Sequence, residues 1–274
     1  MKKVLTIAGS DSCGGAGIQA DLKSMSASGV YAMSVITAIT AQNTMGVFEV
    51  RDLDAEIIKA QIDAIFTDII VDAVKIGMVS KISTIDAITE KLELYKPKII
   101  VLDPVMISKS GYSLLKPESK SALIKELIPL ATLITPNVPE AEEILRETNP
   151  KFPDIETIED MEKSAKEMFK LGCKNILLKG GHMKGDAVDV FYDGNEITHF
   201  TSERINTKNT HGTGCTLSSA IAANLALGFN MKESIQKSKL YITIAIEHSL
   251  DIGHGVGPTN HFYELYKKAG MAND

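Results

Sequence analysis

Residues 209–228, NTHGTGCTLSSAIAANLALG, place a lone cysteine behind two glycines and two threonines, at the head of a small-residue helical run. Gly212 and Gly214 permit a turn that aims successive backbone N–H groups at one point. A helix starting near Gly214 adds the positive end of its dipole. The amides of Gly212, Thr213, Gly214 and Cys215 are therefore expected to hold an anion without help from net protein charge. Cys215 lies in the same field, and a helix N-terminus lowers a thiol's pKa, so a thiolate or a shared proton is expected. The competing reading is a helix cap with an inert thiol facing the core.

Other residues of matching chemistry follow apolar runs. The stretch TPNVPEAEE supplies Asn137 and Glu140 in an NxxE spacing, and Asp103 ends a neighbouring run. Mg²⁺ keeps most of its waters and takes one or two carboxylates plus substrate phosphates. Asp103 and Glu140 suit a hydrated Mg²⁺ facing a nucleotide, although Glu140 could serve only its helix dipole. Lys179, in LLKGGH, and Lys208, just before the glycine turn, read either as edge lysines or as contacts to a triphosphate. In the first loop, GSDSCGGAG, Gly9 to Gly14 fits the opening of a Walker motif, but Gly15-Ala16 replaces its Lys and Ser/Thr. The GxGxxG dinucleotide pattern fails too. What remains is a strand-to-helix turn, or a loop whose backbone closes over a small flat substrate. His248, His254 and His261 have no metal-ligand spacing. His211 abuts the anion turn.

Elements that could position these residues alternate along the chain. Short β-branched runs at 4–9, 31–39, 71–77, 98–105, 132–137 and 175–180 read as strands buried on both faces. Helical periodicity marks 54–68, 82–95, 117–130, 156–171, 214–227 and 231–250. This alternation predicts an α/β fold with a mostly parallel sheet and helices on both faces. The residues 188–200, VDVFYDGNEITHF, alternate around Asp193-Gly194 and predict a small antiparallel edge hairpin. Ligands of open parallel sheets bind at the carboxyl ends of the strands, where all these loops lie. With no linker, repeat or low-complexity tract, residues 1–274 are expected to form a single domain. The polar segment after Asp103, ISKSGYSLLKPE, is expected to act as a lid that excludes water.

Composition narrows the function. The chain has 274 residues, of which 44% are hydrophobic and 23% charged, with a formal net charge of -6. The acidic balance, without a Lys/Arg block, argues against a nucleic-acid or anionic-membrane partner. Cys13, Cys173 and Cys215 form no CxxC pair, which suits a reducing compartment. The N-terminal apolar run stops after five residues at Gly9. That is shorter than the ~7–15 of a secretory segment, and no run nears the ~18 of a membrane span. A soluble cytoplasmic protein is expected.

Taken as a set, AGSDSCGGAGIQADLKS, TAQNT, KIGM, LDPVM, LITPNVPEAE, LKGGH and TKNTHGTGCTLSSAIAA resemble the hydroxymethylpyrimidine/phosphomethylpyrimidine kinases of thiamine synthesis, a branch of the ribokinase-like superfamily. The resemblance covers roughly residues 4–262, in family order. It implies a ribokinase-like fold and MgATP-dependent phosphorylation of 4-amino-5-hydroxymethyl-2-methylpyrimidine, then of its monophosphate. It places substrate contacts on Gly9, Asp21, Gln42, Met78 and Val105. Gln42 stands out, since a carboxamide both donates and accepts along an aminopyrimidine edge. Nucleotide contacts fall on Asn137, Lys179, Gly181 and Lys208, and metal contacts on Asp103 and Glu140. Cys215 takes the place of the aspartate base of related sugar kinases, and homodimers are common in such families. A pyridoxal/pyridoxine kinase of the same fold is the alternative, disfavoured by AQNT at 41–44. A non-catalytic pyrimidine-binding protein is the remote one.

Overall fold

The structure is a computed structural model that describes residues 1–107, 114–181, 183 and 185–271. Strands β1 Lys3–Ala8, β2 Tyr31–Ile36, β5 Ala73–Ile76, β6 Ile100–Leu102, β7 Leu133–Ile134 and β8 Ile176–Leu178 pair in parallel. The hairpin β9 Ala187–Tyr192 and β10 Ile197–Ser202 adds an antiparallel edge around Asp193-Gly194. The sheet runs β10-β9-β8-β7-β6-β5-β1-β2.

Side chains alternate across a strand, so one strand feeds two cores. Val4, Ala73, Val101, Leu133 and Leu177 enter one core with helices α1 Gly17–Ala27, α7 Thr213–Leu227 and α8 Met231–Glu247. Leu5, Val74, Leu102, Ile134 and Leu178 enter the other, with α2 Ala55–Phe66, α3 Ile82–Tyr95, α5 Val138–Thr148 and α6 Ile158–Phe169. A short C-terminal helix, α9 Tyr263–Lys268, follows α8.

Three departures from the sequence reading have identifiable causes. The run 31–39 is not one strand. At Thr37 the chain leaves the sheet, its N–H bonding Ala8 O at 3.0 Å and its hydroxyl Met78 O at 2.9 Å. It continues as β3 Ala38–Asn43, which pairs with β4 Gly46–Asp52 in a separate two-stranded arm. Residues 117–130 do not form a continuous α-helix. They divide into 3₁₀ turns at Pro117–Ser119 and Ile128–Leu130, the short α4 Lys120–Ala122, and a π turn Leu123–Leu127. Pro129 lacks an N–H and crowds the preceding turn, which forces the change of winding. Lastly, α1 has no apolar helical period, because its buried positions include Asp21 and Ser24.

Candidate active site

The loops after the parallel strands share a cleft of about 640 Å³. It runs along the carboxyl edge of the sheet, from the β1 loop and the β3–β4 arm to the β9–β10 hairpin and α8. Gly9, Thr40, Gln42, Met78 and Val105 line the arm side. Ala187, Ile205, Leu217, Ile242 and Ile246 give the hairpin side an apolar wall.

Gly212 caps α7 at φ 77°, a left-handed conformation that a side chain would strain. A Cβ there would also stand 1.7 Å from Gly15 O. The first loop and the anion turn thus meet backbone to backbone, which only glycine allows. Thr213 donates to Thr210 O at 2.8 Å, and Thr216 to Gly212 O at 2.8 Å, closing the turn with side chains. Ala220, Ala222 and Ala223 are fully buried and bring α7 close to the sheet. Gly214 faces Lys179 and Asp103, since a Cβ on it would lie 3.3 Å from Lys179 Nζ and 3.6 Å from Asp103 Oδ2.

Cys215 borders the cleft, but its thiol is not acidified. Burial pushes it up to about 11, Lys75 opposes that rise, and Asp21 and Asp103 repel a thiolate. Desolvation outweighs the helix end here. The expectation of a depressed pKa is corrected accordingly.

Asp103 is buried at the end of β6. Its Oδ1 accepts from Lys179 Nζ at 2.8 Å and Thr135 Oγ1 at 3.1 Å, and its Oδ2 from Ser218 Oγ at 3.3 Å. Burial opposes ionisation, but Lys179 and Lys75 hold this carboxyl below the usual range. The bridge pairing Asn137 with Lys179 brings β7 and β8 loops together. Asn137 Oδ1 accepts from Glu140 N at 2.9 Å, and Glu140 Oε2 from Asn137 N at 2.8 Å, a reciprocal cap on α5. Burial raises the Glu140 carboxyl to about 7, against the pull of Lys179 and with repulsion from Asp103. Two carboxylates therefore share one lysine, since Lys75 is matched by Asp21. That deficit of positive charge suits a divalent cation, so Asp103 and Glu140 fit the expected Mg²⁺.

On the arm side, Asp11 organises the first loop. Its Oδ1 accepts from Cys13 N at 2.9 Å, and its Oδ2 from Gly15 N at 3.0 Å, Ala16 N at 2.8 Å and His211 Nε2 at 2.7 Å. Burial opposes, but His211 and these amides keep the carboxyl below its ordinary value. Ligand atoms of Asp11, Cys13 and His211 cluster within 4.8 Å, yet Asp11 is spent on these bonds and leaves no metal site. The first loop also clasps the arm, with Ser12 Oγ donating to Gln42 O at 2.7 Å and Ser10 N to Ala38 O at 2.8 Å.

Two expected contacts lie elsewhere. Asp21 is fully buried and does not border the cleft, being bonded to Lys75, Thr6 Oγ1 and Ser219 Oγ. Lys208 points to solvent and pairs with Asp251 at 3.0 Å. Gly181 does border the cleft, and its carbonyl accepts from Arg204 Nη1 at 2.8 Å. Half of the expected lid, residues 108–113, lies outside the described residues. Sequence reasoning missed Asp11 and Arg204. An aspartate four positions before a Gly-Ala pair was the available sign of a loop anchor, whereas nothing local marked Arg204.

A family model described as phosphomethylpyrimidine kinase matches residues 11–260. The chain is 50% identical over 266 residues to a hydroxymethylpyrimidine/phosphomethylpyrimidine kinase of Rhizobium meliloti (strain 1021), covering 96% of this chain and 98% of that protein. Among solved structures, it is similar to a phosphomethylpyrimidine kinase from Clostridium difficile 630, with 55% identity, a TM-score of 0.79 and coverage of 90% and 100%. It is also similar to Bacillus subtilis pyridoxal kinase in an ADP complex, with 41% identity, a TM-score of 0.87 and coverage of 96% and 98%. The fold is ribokinase-like. Half of all positions kept over nearly the whole length, on a frame that superposes on such kinases, leave one conclusion: the chain belongs to the phosphomethylpyrimidine kinase family.

Proposed function

We propose that the protein uses ATP to phosphorylate 4-amino-5-hydroxymethyl-2-methylpyrimidine and then converts the monophosphate to the diphosphate, for thiamine synthesis. The observation that carries this reading is one cleft holding both an amide-lined anion turn and the carboxamide of Gln42. Gln42 reads the aminopyrimidine edge, while Gly9, Met78 and Val105 enclose the ring. Lys179, Asn137 and Gly181 attend the nucleotide phosphates.

The amides of Gly212, Thr213, Gly214 and Cys215 stabilise charge on the transferring phosphoryl group. Bound to Asp103 and Glu140, Mg²⁺ would neutralise charge on the nucleotide phosphates. In the first reaction the nucleophile is a neutral alcohol, and the Cys215 sulfur takes its proton. With the thiol near 11, the base form is scarce at pH 7, so this step gains rate as pH rises. The second nucleophile is a phosphate oxygen, already ionised, and it needs little from the sulfur.

A coupled ADP-release assay with the pyrimidine alcohol, with mono- and diphosphate products resolved by mass spectrometry, tests the reading. ATP turnover that requires no pyrimidine, or the absence of both products, would refute it. The proposal includes a single working domain, a cytoplasmic setting and a homodimer. Exposed Ile39 and Phe48 on the arm support pairing, which light scattering checks. No helix among the described residues is long and apolar enough to cross a membrane.

A further inference from the structure

Gln42 has two side-chain neighbours besides any substrate. Its carboxamide is placed with the nitrogen 3.3 Å from His211 Nε2 and the oxygen 3.2 Å from Thr40 Oγ1. A carboxamide is nearly symmetric in shape, so its partners decide which end is oxygen. Both partners are already constrained. Asp11 Oδ2 is a carboxylate oxygen that only accepts, so at 2.7 Å the hydrogen sits on His211 Nε2. Thr40 has a single hydroxyl hydrogen, which it gives to Ser10 O at 2.8 Å, and it offers Gln42 only lone pairs.

An amide NH₂ facing His211 would set donor against donor, with acceptor against acceptor at Thr40. The reverse placement removes both conflicts: the oxygen shares the His211 Nε2 hydrogen already given to Asp11, and the NH₂ donates to Thr40 Oγ1. We infer that Asp11 and His211, with Thr40 opposite, hold the Gln42 amide with its oxygen toward His211 and its nitrogen toward Thr40. They thereby fix the order of donor and acceptor that the acceptor ring meets. Asp11, His211 and Thr40 are positioning residues that act through Gln42.

The chemical consequence rests on the function proposed above. One lone pair and one N–H of Gln42 remain for the ligand, matching an amino group beside a ring nitrogen. In the pyrimidine, the amino-bearing carbon neighbours the carbon carrying the hydroxymethyl group. Swapping donor and acceptor would turn the ring over and swing that hydroxymethyl away from the anion turn. A pyridine carrying a phenolic oxygen has no such donor–acceptor edge, so the fixed amide also discriminates against it.

The test is a double-mutant cycle on the full-length protein, reading kcat/KM for the pyrimidine alcohol and for pyridoxal, with ADP Kd as a control. His211→Phe and Thr40→Val should each lower kcat/KM for the pyrimidine alcohol about tenfold, and less than about twofold in a Gln42→Leu background. Selectivity over pyridoxal should fall with it. His211→Gln, whose amide nitrogen reaches the same place, should restore most of the loss. Equal losses in both backgrounds would overturn the inference and make His211 a structural pin. Should His211→Phe damage ADP binding or folding, Thr40→Val, on the other side of Gln42, decides alone. A neutron structure of the ligand-free protein reads the amide directly, and deuterium on the His211 side would refute the inference. That readout needs no turnover, so it separates this failure from a wild-type protein that fails to phosphorylate the pyrimidine.

Discussion

Lys75 Nζ lies 2.9 Å from both carboxylate oxygens of Asp21, and neither side chain reaches solvent. Charges so buried hold their place only as a pair, and breaking one leaves the other stranded. Asp21→Ala should therefore cost about 3–5 kcal/mol of stability in urea unfolding. The KM for the pyrimidine alcohol should stay within about twofold of wild type, since Asp21 does not border the cleft. A large KM increase in a stable variant would return Asp21 to the substrate.

Glu140 offers a pH test with a definite sign. Its folded-state carboxyl lies near 7, above the ordinary value of 4.5, so ionising it costs the folded protein more than the unfolded chain. Its contribution to stability is present below about 4.5 and lost as pH rises through 7. Glu140→Gln keeps the helix cap and removes the charge. It should gain up to about 3 kcal/mol at pH 8 and nothing at pH 4, by urea titration.

The same carboxyl should govern MgATP binding. As pH falls from 7.5 to 6, wild-type affinity should drop as Glu140 takes up its proton. Glu140→Gln should bind weakly and without that dependence. Calorimetry of MgATP binding across this range checks both.

Cys215 predicts a split between the two reactions. With the thiol near 11, kcat/KM for the alcohol should rise about tenfold per pH unit between 7 and 9. For the monophosphate it should stay flat over that range. Cys215→Ala should abolish the slope and hurt the first step far more than the second. Equal losses would remove the sulfur from proton transfer.

Gly212→Ala tests the turn itself. The left-handed φ and the overlap with Gly15 O leave no room for a methyl. Both phosphorylations should fall at least ~100-fold, with ADP Kd weakened, because the transferring group loses its amides. Stopped assays with each acceptor measure it.

Much of this molecule could be read from residue order. Short β-branched apolar runs mark the parallel strands, and alternation around Asp193-Gly194 marks the hairpin, because both signals are local. The glycine turn was legible because few backbones need glycine twice beside a helix start. What escaped depended on distant residues. Thr37 ends β2 through bonds to Ala8 and Met78 that no neighbouring residue announces. The rise of the Cys215 thiol escapes for a related reason: burial in the folded protein dominates it, and the repelling carboxylates of Asp21 and Asp103 lie far away in the chain. Asp21 itself resembled a ligand contact, yet Lys75 consumes it from 54 positions away.

The exit of the chain from the main sheet at Thr37 has an evolutionary corollary. Gln42, which we propose reads the acceptor ring, sits on the β3–β4 arm outside the main sheet, whereas the Gly212 turn caps a helix packed against that sheet. On that proposal, substitutions in the arm should alter which acceptor is taken while the donor side stays intact, so the two halves of the reaction can diverge separately.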